Sequence, residues 1–265
     1  MKITLIITTY NWPQSLLLVL KSIEVQSIIP DEVIIADDGS TIETKELISS
    51  FQKTSNLNII HSWQDDIGFR VSRSRNKAIL KSSGDYVILI DGDVILHSMF
   101  VEDHVVNAEM GFFIQGSRVL LSKNTTSKAL ISQNIYFSFF SIGIMNRKNA
   151  IHSFLLAKIF LNKHNSLRGI KSCNMSFYLK DCLNVNGFNN EFEGWGREDS
   201  EFIVRLINSG IKRKNVRFNA IQYHLWHNEN SRISLEKNDE ILVNTINNQV
   251  QWCENGINLI EKNES

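Results

Sequence analysis

The chain has 265 residues, with 28 Lys and Arg balancing 28 Asp and Glu. That length suits one large or two small domains, and the neutral balance argues against a general nucleic-acid or acidic-polymer binder. Three cysteines form no CxxC pair and leave one over, so a reducing cytoplasm is expected and a disulfide framework is not. In chain order, KITLIIT reads as a short buried strand, and Pro13 suits the first turn of a helix running to about Gln26. DEVIIAD is a second strand, with a helix following from about Thr41. LNIIHS is a third strand, and Val71 to Lys81 is helical, with Gly84 as its stop. DYVILIDGD is a fourth strand that ends in acids.

Strands alternating with helices predict an α/β fold with a mostly parallel sheet and helices on both faces. In such sheets ligands bind outside the carboxyl ends of the strands. Thr8-Thr9-Tyr10, Asp37-Asp38 and Asp91-Gly92-Asp93 all fall at such ends, so three polar clusters converge on one rim. The second half is less regular. GFFIQGSRVLL reads as one strand, CNMSFYL as another, and Asp181 to Asn186 as a short helix closed by Gly187. Glu198 to Asn208 is a helix closed by Gly210, Ala220 to Trp226 a strand, and Leu235 to about Ile260 a helical tail. Residues 124–171 carry no firm pattern.

The N-terminal apolar run is too short for a signal peptide, and no stretch approaches the ~18 apolar residues of a membrane span. Charge is segregated, however. Met110 to Lys180 contains ten Lys or Arg and no Asp or Glu, which predicts a basic surface beside an acidic site. Within it, the apolar clusters between Tyr136 and Leu161 read either as buried helix and loop or as a membrane-facing surface.

Several familiar patterns are missing: no GxGxxG, P-loop, HExxH or GxSxG occurs. Asp91-Gly92-Asp93 offers two carboxylates able to reach Mg²⁺ or Mn²⁺, directly or through water, unless it is only an Asp-Gly turn. Gly92 would let a ligand approach the backbone. Asp37 and Asp38 could accept from a base N–H, or could form an Asx-turn and helix cap. Arg70, Arg73 and Arg75 surround a helix start that suits an anion such as diphosphate, or form a solvated basic face. His224 and His227 could complete a metal site with Asp93, or pack in a strand. In GWGREDSEF, Glu198 or Asp199 could take a proton from an attacking hydroxyl, while the same acids suit a helix N-terminus. Trp195, between two glycines, could lie against a sugar ring.

TTYN, ADDGS, DGD and GWGREDSEF, in that order and spacing, resemble the inverting family 2 glycosyltransferases with a GT-A fold. The segment from CNMSFYL through GWGREDSEF to YHLWH resembles the galactosyltransferase-type module of bacterial chondroitin-type polymerases and β4-galactosyltransferases. The resemblance spans roughly Ile3 to His227. It implies that Thr8, Tyr10 and Asp38, with Asp37 nearby, hold the nucleoside of a UDP-sugar. Arg70, Arg75, Asp91 and Gly92 would complete the donor side. Asp93 would bind Mn²⁺ or Mg²⁺ with His227, His224 being the second choice. Trp195, Gly196 and Asn174 would line the sugar and acceptor pocket, Glu198 would shape it, and Asp199 would be the catalytic base. Residues 1–120 would form the nucleotide-sugar half and residues 121–234 the acceptor and catalytic half of one domain, with 235–265 as a helical tail.

The resemblance implies transfer of a hexose or N-acetylhexosamine to a saccharide or lipid-linked saccharide acceptor, in lipopolysaccharide, O-antigen or capsule synthesis. The expected place is the cytoplasm, with peripheral contact to the inner face of its membrane. A sugar-nucleotide-binding protein without catalysis and a nucleotidyltransferase are the alternatives. The first fits poorly with Asp93, Asp199 and His227 together. The second lacks its glycine-rich basic loop.

Overall fold

The structure, a computed structural model, describes residues 1–228 and 231–264. Its first half is built of β1 (Ile3–Thr9), α1 (Pro13–Glu24), β2 (Glu32–Asp37), α2 (Ile42–Gln52), β3 (Ile59–Trp63), α3 (Val71–Leu80) and β4 (Tyr86–Asp91). These strands are parallel and form one side of a large sheet of order β3-β2-β1-β4-β10-β6-β11-β9. The remaining strands are β6 (Phe112–Gln115), β9 (Asn162–His164), β10 (Asn174–Tyr178) and β11 (Lys212–Asn215). Here β10 runs antiparallel to both β4 and β6. A smaller sheet, β5-β12-β7-β8, joins Val94–Leu96, Gln222–His224, Val119–Leu121 and Ile144–Met145. The other helices are α4 (Phe100–Asn107), α5 (Lys123–Ser132), α6 (Phe154–Ile159), α7 (Leu179–Asn184), α8 (Glu198–Asn208), α9 (Leu235–Asn247) and α10 (Ile257–Glu264).

The two-residue period of a strand sends alternate side chains to opposite faces. Leu5 and Ile7 of β1 and Ile88 and Ile90 of β4 enter one core with α1 and α2. Ile6, Val87 and Leu89 enter the other, with α3, α8 and α10. Both faces are buried, which is why these strands read as unbroken apolar runs.

Four expectations change. GFFIQGSRVLL is two strands, because the chain leaves the large sheet after Gln115 and enters the small one at Val119. The tail is two helices, α9 and α10, broken between Asn247 and Ile257. The short helix near Asp181 begins two residues earlier, at Leu179. Gly84 is no helix stop. α3 ends at Leu80, and a Cβ on Gly84 would meet Thr4 Oγ1 at 2.4 Å, so its role is close approach to β1. α8 keeps its expected bounds, with Gly210 left-handed just beyond it.

Candidate active site

Asp91-Gly92-Asp93 is the point at which the chain passes from the large sheet to the small one. A Cβ on Gly92 would lie 2.8 Å from Thr8 O, and its N–H donates to that carbonyl at 2.6 Å. The backbone at Gly92 thus lies close against β1. It throws Asp91 and Asp93 into a cleft of about 1310 Å³ lined also by Thr8, Tyr10, Asp38, Arg75, Trp195, Gly196, Glu198, Asp199, His224 and His227.

Strand pairing sets one end of the cleft. β12 runs antiparallel to β5 with His224 opposite Val94, and Leu225 N–H donates to Asp93 O at 2.9 Å. This brings His227 Nε2 to 3.2 Å and His224 Nε2 to 3.5 Å from Asp93 Oδ2. Ligand atoms of the three residues lie within 4.8 Å of one another. Burial lifts the Asp93 carboxyl, but the His227 hydrogen bond and both imidazoles outweigh it and hold the group below its ordinary value. The same hydrogen bond raises His227 to about 9, whereas burial lowers His224. Asp93 Oδ1 is buried without a partner. One carboxylate with a free buried oxygen and two imidazoles is a donor set that fits a divalent cation.

The opposite end is set by α8. β10 pairs with β4 so that Asn174 faces Ile90, which leaves Ser172, just before β10, at the carboxyl end of β4. Arg75, 3 % exposed, reaches from α3 to Ser172 Oγ at 2.8 Å, Glu198 Oε1 at 3.1 Å and Asp91 Oδ1 at 3.6 Å. Burial and the neighbouring Asp93 raise the Asp91 carboxyl despite Arg75. Asp199 accepts from Ser200 N at 2.6 Å and Ser172 N at 3.3 Å. Burial, then the adjacent Glu198, pushes its carboxyl up to about 7. A carboxyl poised there can exchange a proton near neutrality. The loop before α8 is left-handed at Gly194, Gly196 and Arg197. A Cβ on Gly194 would meet Ser234 Oγ at 2.3 Å. These glycines let the loop lie against the start of α9, leaving Trp195 exposed to the cleft with Arg232 over its ring.

At the β1–β2 end, Asp38 accepts from Gln64 Nε2 at 2.6 Å and from Arg70 N at 2.8 Å. It thus caps α3, not the helix that follows it in sequence. Tyr10 is half exposed, its hydroxyl donating to Asp66 at 2.9 Å.

Three expected residues lie outside the cleft lining. Asp37 is fully buried, accepting from Ser40 N and pairing with His61 Nε2, each at 2.8 Å, so it closes the turn after β2. Arg70 spends its guanidinium on Asp65 O at 2.7 Å. Asn174 is buried between the sheets, donating to Ser117 O at 2.7 Å and Ala220 O at 2.8 Å and pairing with His104 at 3.0 Å. It fastens the large sheet to the small one. Sequence reasoning missed Trp12, Arg118, Lys171, Ser172 and Trp226, all in the lining. Arg118 had one usable signal, a charge inside an otherwise apolar run.

Residues 4–170 match the family model of glycosyl transferase family 2, and residues 155–228 match one described as the N-terminal domain of galactosyltransferase. The chain is 27 % identical over 240 residues to chondroitin synthase of Escherichia coli, covering 84 % of this chain and 34 % of that protein. It is 31 % identical over 175 residues to O-antigen chain rhamnosyltransferase RfbN of Salmonella typhimurium, covering 61 % of this chain and 50 % of that one. The chain thus spans a third to a half of these relatives. Among solved structures, S. aureus TarS residues 1–349 in complex with UDP-GlcNAc superposes with a TM-score of 0.66 at 17 % identity, over 96 % of this chain and 68 % of that one. That likeness is one of fold, the GT-A arrangement of a large central sheet and flanking helices.

Proposed function

The chain belongs to glycosyl transferase family 2, and we propose that its cleft moves a hexose or N-acetylhexosamine from a UDP-sugar to a saccharide acceptor with inversion at the anomeric carbon. The observation that carries this reading is the placing of a raised carboxyl, Asp199, across one cleft from the Asp93, His224 and His227 cluster. Support for a UDP donor comes from a structural neighbour crystallised with UDP-GlcNAc, and for a saccharide acceptor from the chondroitin and O-antigen relatives.

In this mechanism Tyr10 and Asp38 bind the nucleoside at the β1–β2 end. Thr8 donates to Asp91 Oδ1 at 2.9 Å and Arg75 faces the same oxygen, so both orient Asp91 toward the sugar. Asp93, His224 and His227 would hold Mn²⁺ or Mg²⁺, which supplies charge stabilisation for a diphosphate leaving group. Arg118 and Lys171, also in the lining, add positive charge there. Trp195 gives the sugar an apolar surface. The acceptor O–H loses its proton to the Asp199 carboxylate as its oxygen bonds to the anomeric carbon. The bond to the diphosphate breaks on the opposite face. One displacement inverts the centre, and no covalent enzyme intermediate forms.

Manganese binding is read without turnover, by the loss of free Mn²⁺ signal in electron paramagnetic resonance. Losing a group that supports a metal ligand costs about 10–100-fold in affinity, so losing a ligand costs at least that. Asp93→Asn and His224→Ala are each expected to weaken binding by that margin, and His61→Ala, at a distant pair, to leave it unchanged. Equal binding in all three would remove the metal from the reading.

A further inference from the structure

Outside the cleft, the most unusual surface is built by the region whose apolar clusters the sequence left undecided. Phe140 is 85 % exposed and Ile142 91 %. The loop that carries them is fixed in place. Arg147 donates to Phe139 O and to Ser141 O, and Ser141 N–H donates to Ser138 O at 3.0 Å. The exposed tip is therefore held outward and is not a frayed end. Phe140 and Ile151 line a common groove, and three residues beyond Ile151 α6 presents Phe154, Leu155 and Ile159, each more than 60 % exposed. Large exposed apolar patches mark interaction surfaces.

Every charged residue from Tyr136 to Leu161 is a cation. Lys158 Nζ lies over the Phe154 ring at 4.4 Å, Arg217 lies over Phe160 and Phe218, and Lys148 is exposed beside the loop. No carboxylate occurs from residue 111 to residue 180. Among the neighbouring acids, Asp103 is buried under the groove, paired with His152 at 3.0 Å, and Glu102 stands next to it. Exposed aromatic and aliphatic side chains rimmed by Lys and Arg have the chemistry of a peripheral membrane surface. Rings and alkyl chains enter the headgroup boundary while the cations meet anionic lipid. A two-fold contact with a second copy would set the same cationic rim against itself.

We propose that this face, the Tyr136–Ile142 loop with α6, docks on an anionic phospholipid bilayer. β8 then sets the geometry. It follows Ile142 after Gly143 and delivers Met145 to the lining of the catalytic cleft. Docking places the cleft mouth next to the lipid surface, where an acceptor carried on a lipid would be met. Only that last step rests on the transferase reading; bilayer binding is measured without it.

The test is co-sedimentation with vesicles of phosphatidylcholine, alone or with roughly 30 % phosphatidylglycerol. Wild type is expected to pellet with the anionic vesicles and to be released by high salt. Phe140→Ser with Ile142→Ser should lower partition about tenfold or more, and Lys148→Glu with Lys158→Glu should abolish the preference for anionic lipid. Thermal midpoints and soluble UDP-sugar turnover should not change in either variant. Wild type that ignores both vesicles, or variants that bind as wild type does, overturns the proposal. So does a dimer in light scattering that the Phe140/Ile142 variant dissolves while no vesicle is bound. Vesicle binding by a wild type lacking any UDP-sugar turnover would sink the transferase reading and leave this one standing.

Discussion

Asp199→Asn is expected to cut glycosyl transfer by about 10²–10⁴-fold, the usual worth of a positioned general base, with donor affinity kept. The loss should fall on kcat, since the proposed base would take the acceptor proton as bonds change and would not act on the bound nucleotide. The pH profile carries the same signature. Burial and Glu198 raise the Asp199 carboxyl to about 7, so wild-type activity should climb as pH rises through that value and the base loses its proton. The stability effect has a defined sign. A carboxyl whose folded pKa is raised favours the folded state below its unfolded value, near 4, and that advantage is lost as pH rises through about 7. Asn carries no charge to desolvate, so above neutrality the variant should melt no lower than wild type. Loss of kcat with an unchanged or higher thermal midpoint separates a missing base from a misfolded protein.

The largest stability effect is expected two residues further along α8. Glu201 and Arg205 are 1 % and 0 % exposed and form a bidentate pair, with both contacts at 2.8 Å. Arg205 also donates to Val185 O, and Thr245 Oγ1 of α9 donates to Glu201 Oε1 at 3.3 Å. Glu201→Ala leaves the guanidinium buried without its counter-charge, which costs about 3–5 kcal/mol, a large share of the stability of a typical domain. Urea unfolding measures it. Replacing both partners by Met should recover most of the loss, because no charge then stays buried and unpaired. If the single variant unfolds at the wild-type urea midpoint, the pair contributes nothing and α8 is held by its apolar face alone.

This contrast within one helix shows what the sequence could tell. The apolar runs of β1, β2 and β4 and the acids that end them were legible, because buried parallel strands leave little else to read. The rim of Thr8, Asp38 and Asp91 followed from strand order. Three acids in GWGREDSEF were legible as a cluster, but not their division of labour. Glu198 binds Arg75, Asp199 faces the cleft, and Glu201 turns into the core. Helical phase relative to the sheet decides this, and phase comes from packing. Asp37 and Asp38 are adjacent yet differ in the same way, since the strand's alternation sends one under the turn and the other to the cleft. Asn174 looked like a ligand contact because a polar residue at a strand end suits either a ligand or a sheet junction. Arg118 enters the cleft where the chain changes sheets between Gln115 and Val119, a break that the run GFFIQGSRVLL conceals.

Metal-dependent transfer from a UDP-sugar, as proposed for this cleft, can be read from the release of UDP. The chain is incubated with a panel of UDP-sugars, with and without Mn²⁺, beside Asp199→Asn. Slow release of UDP from one donor is expected, requiring the metal and falling in the variant. No release from any donor, together with no metal-dependent binding of a UDP-sugar, would contradict it.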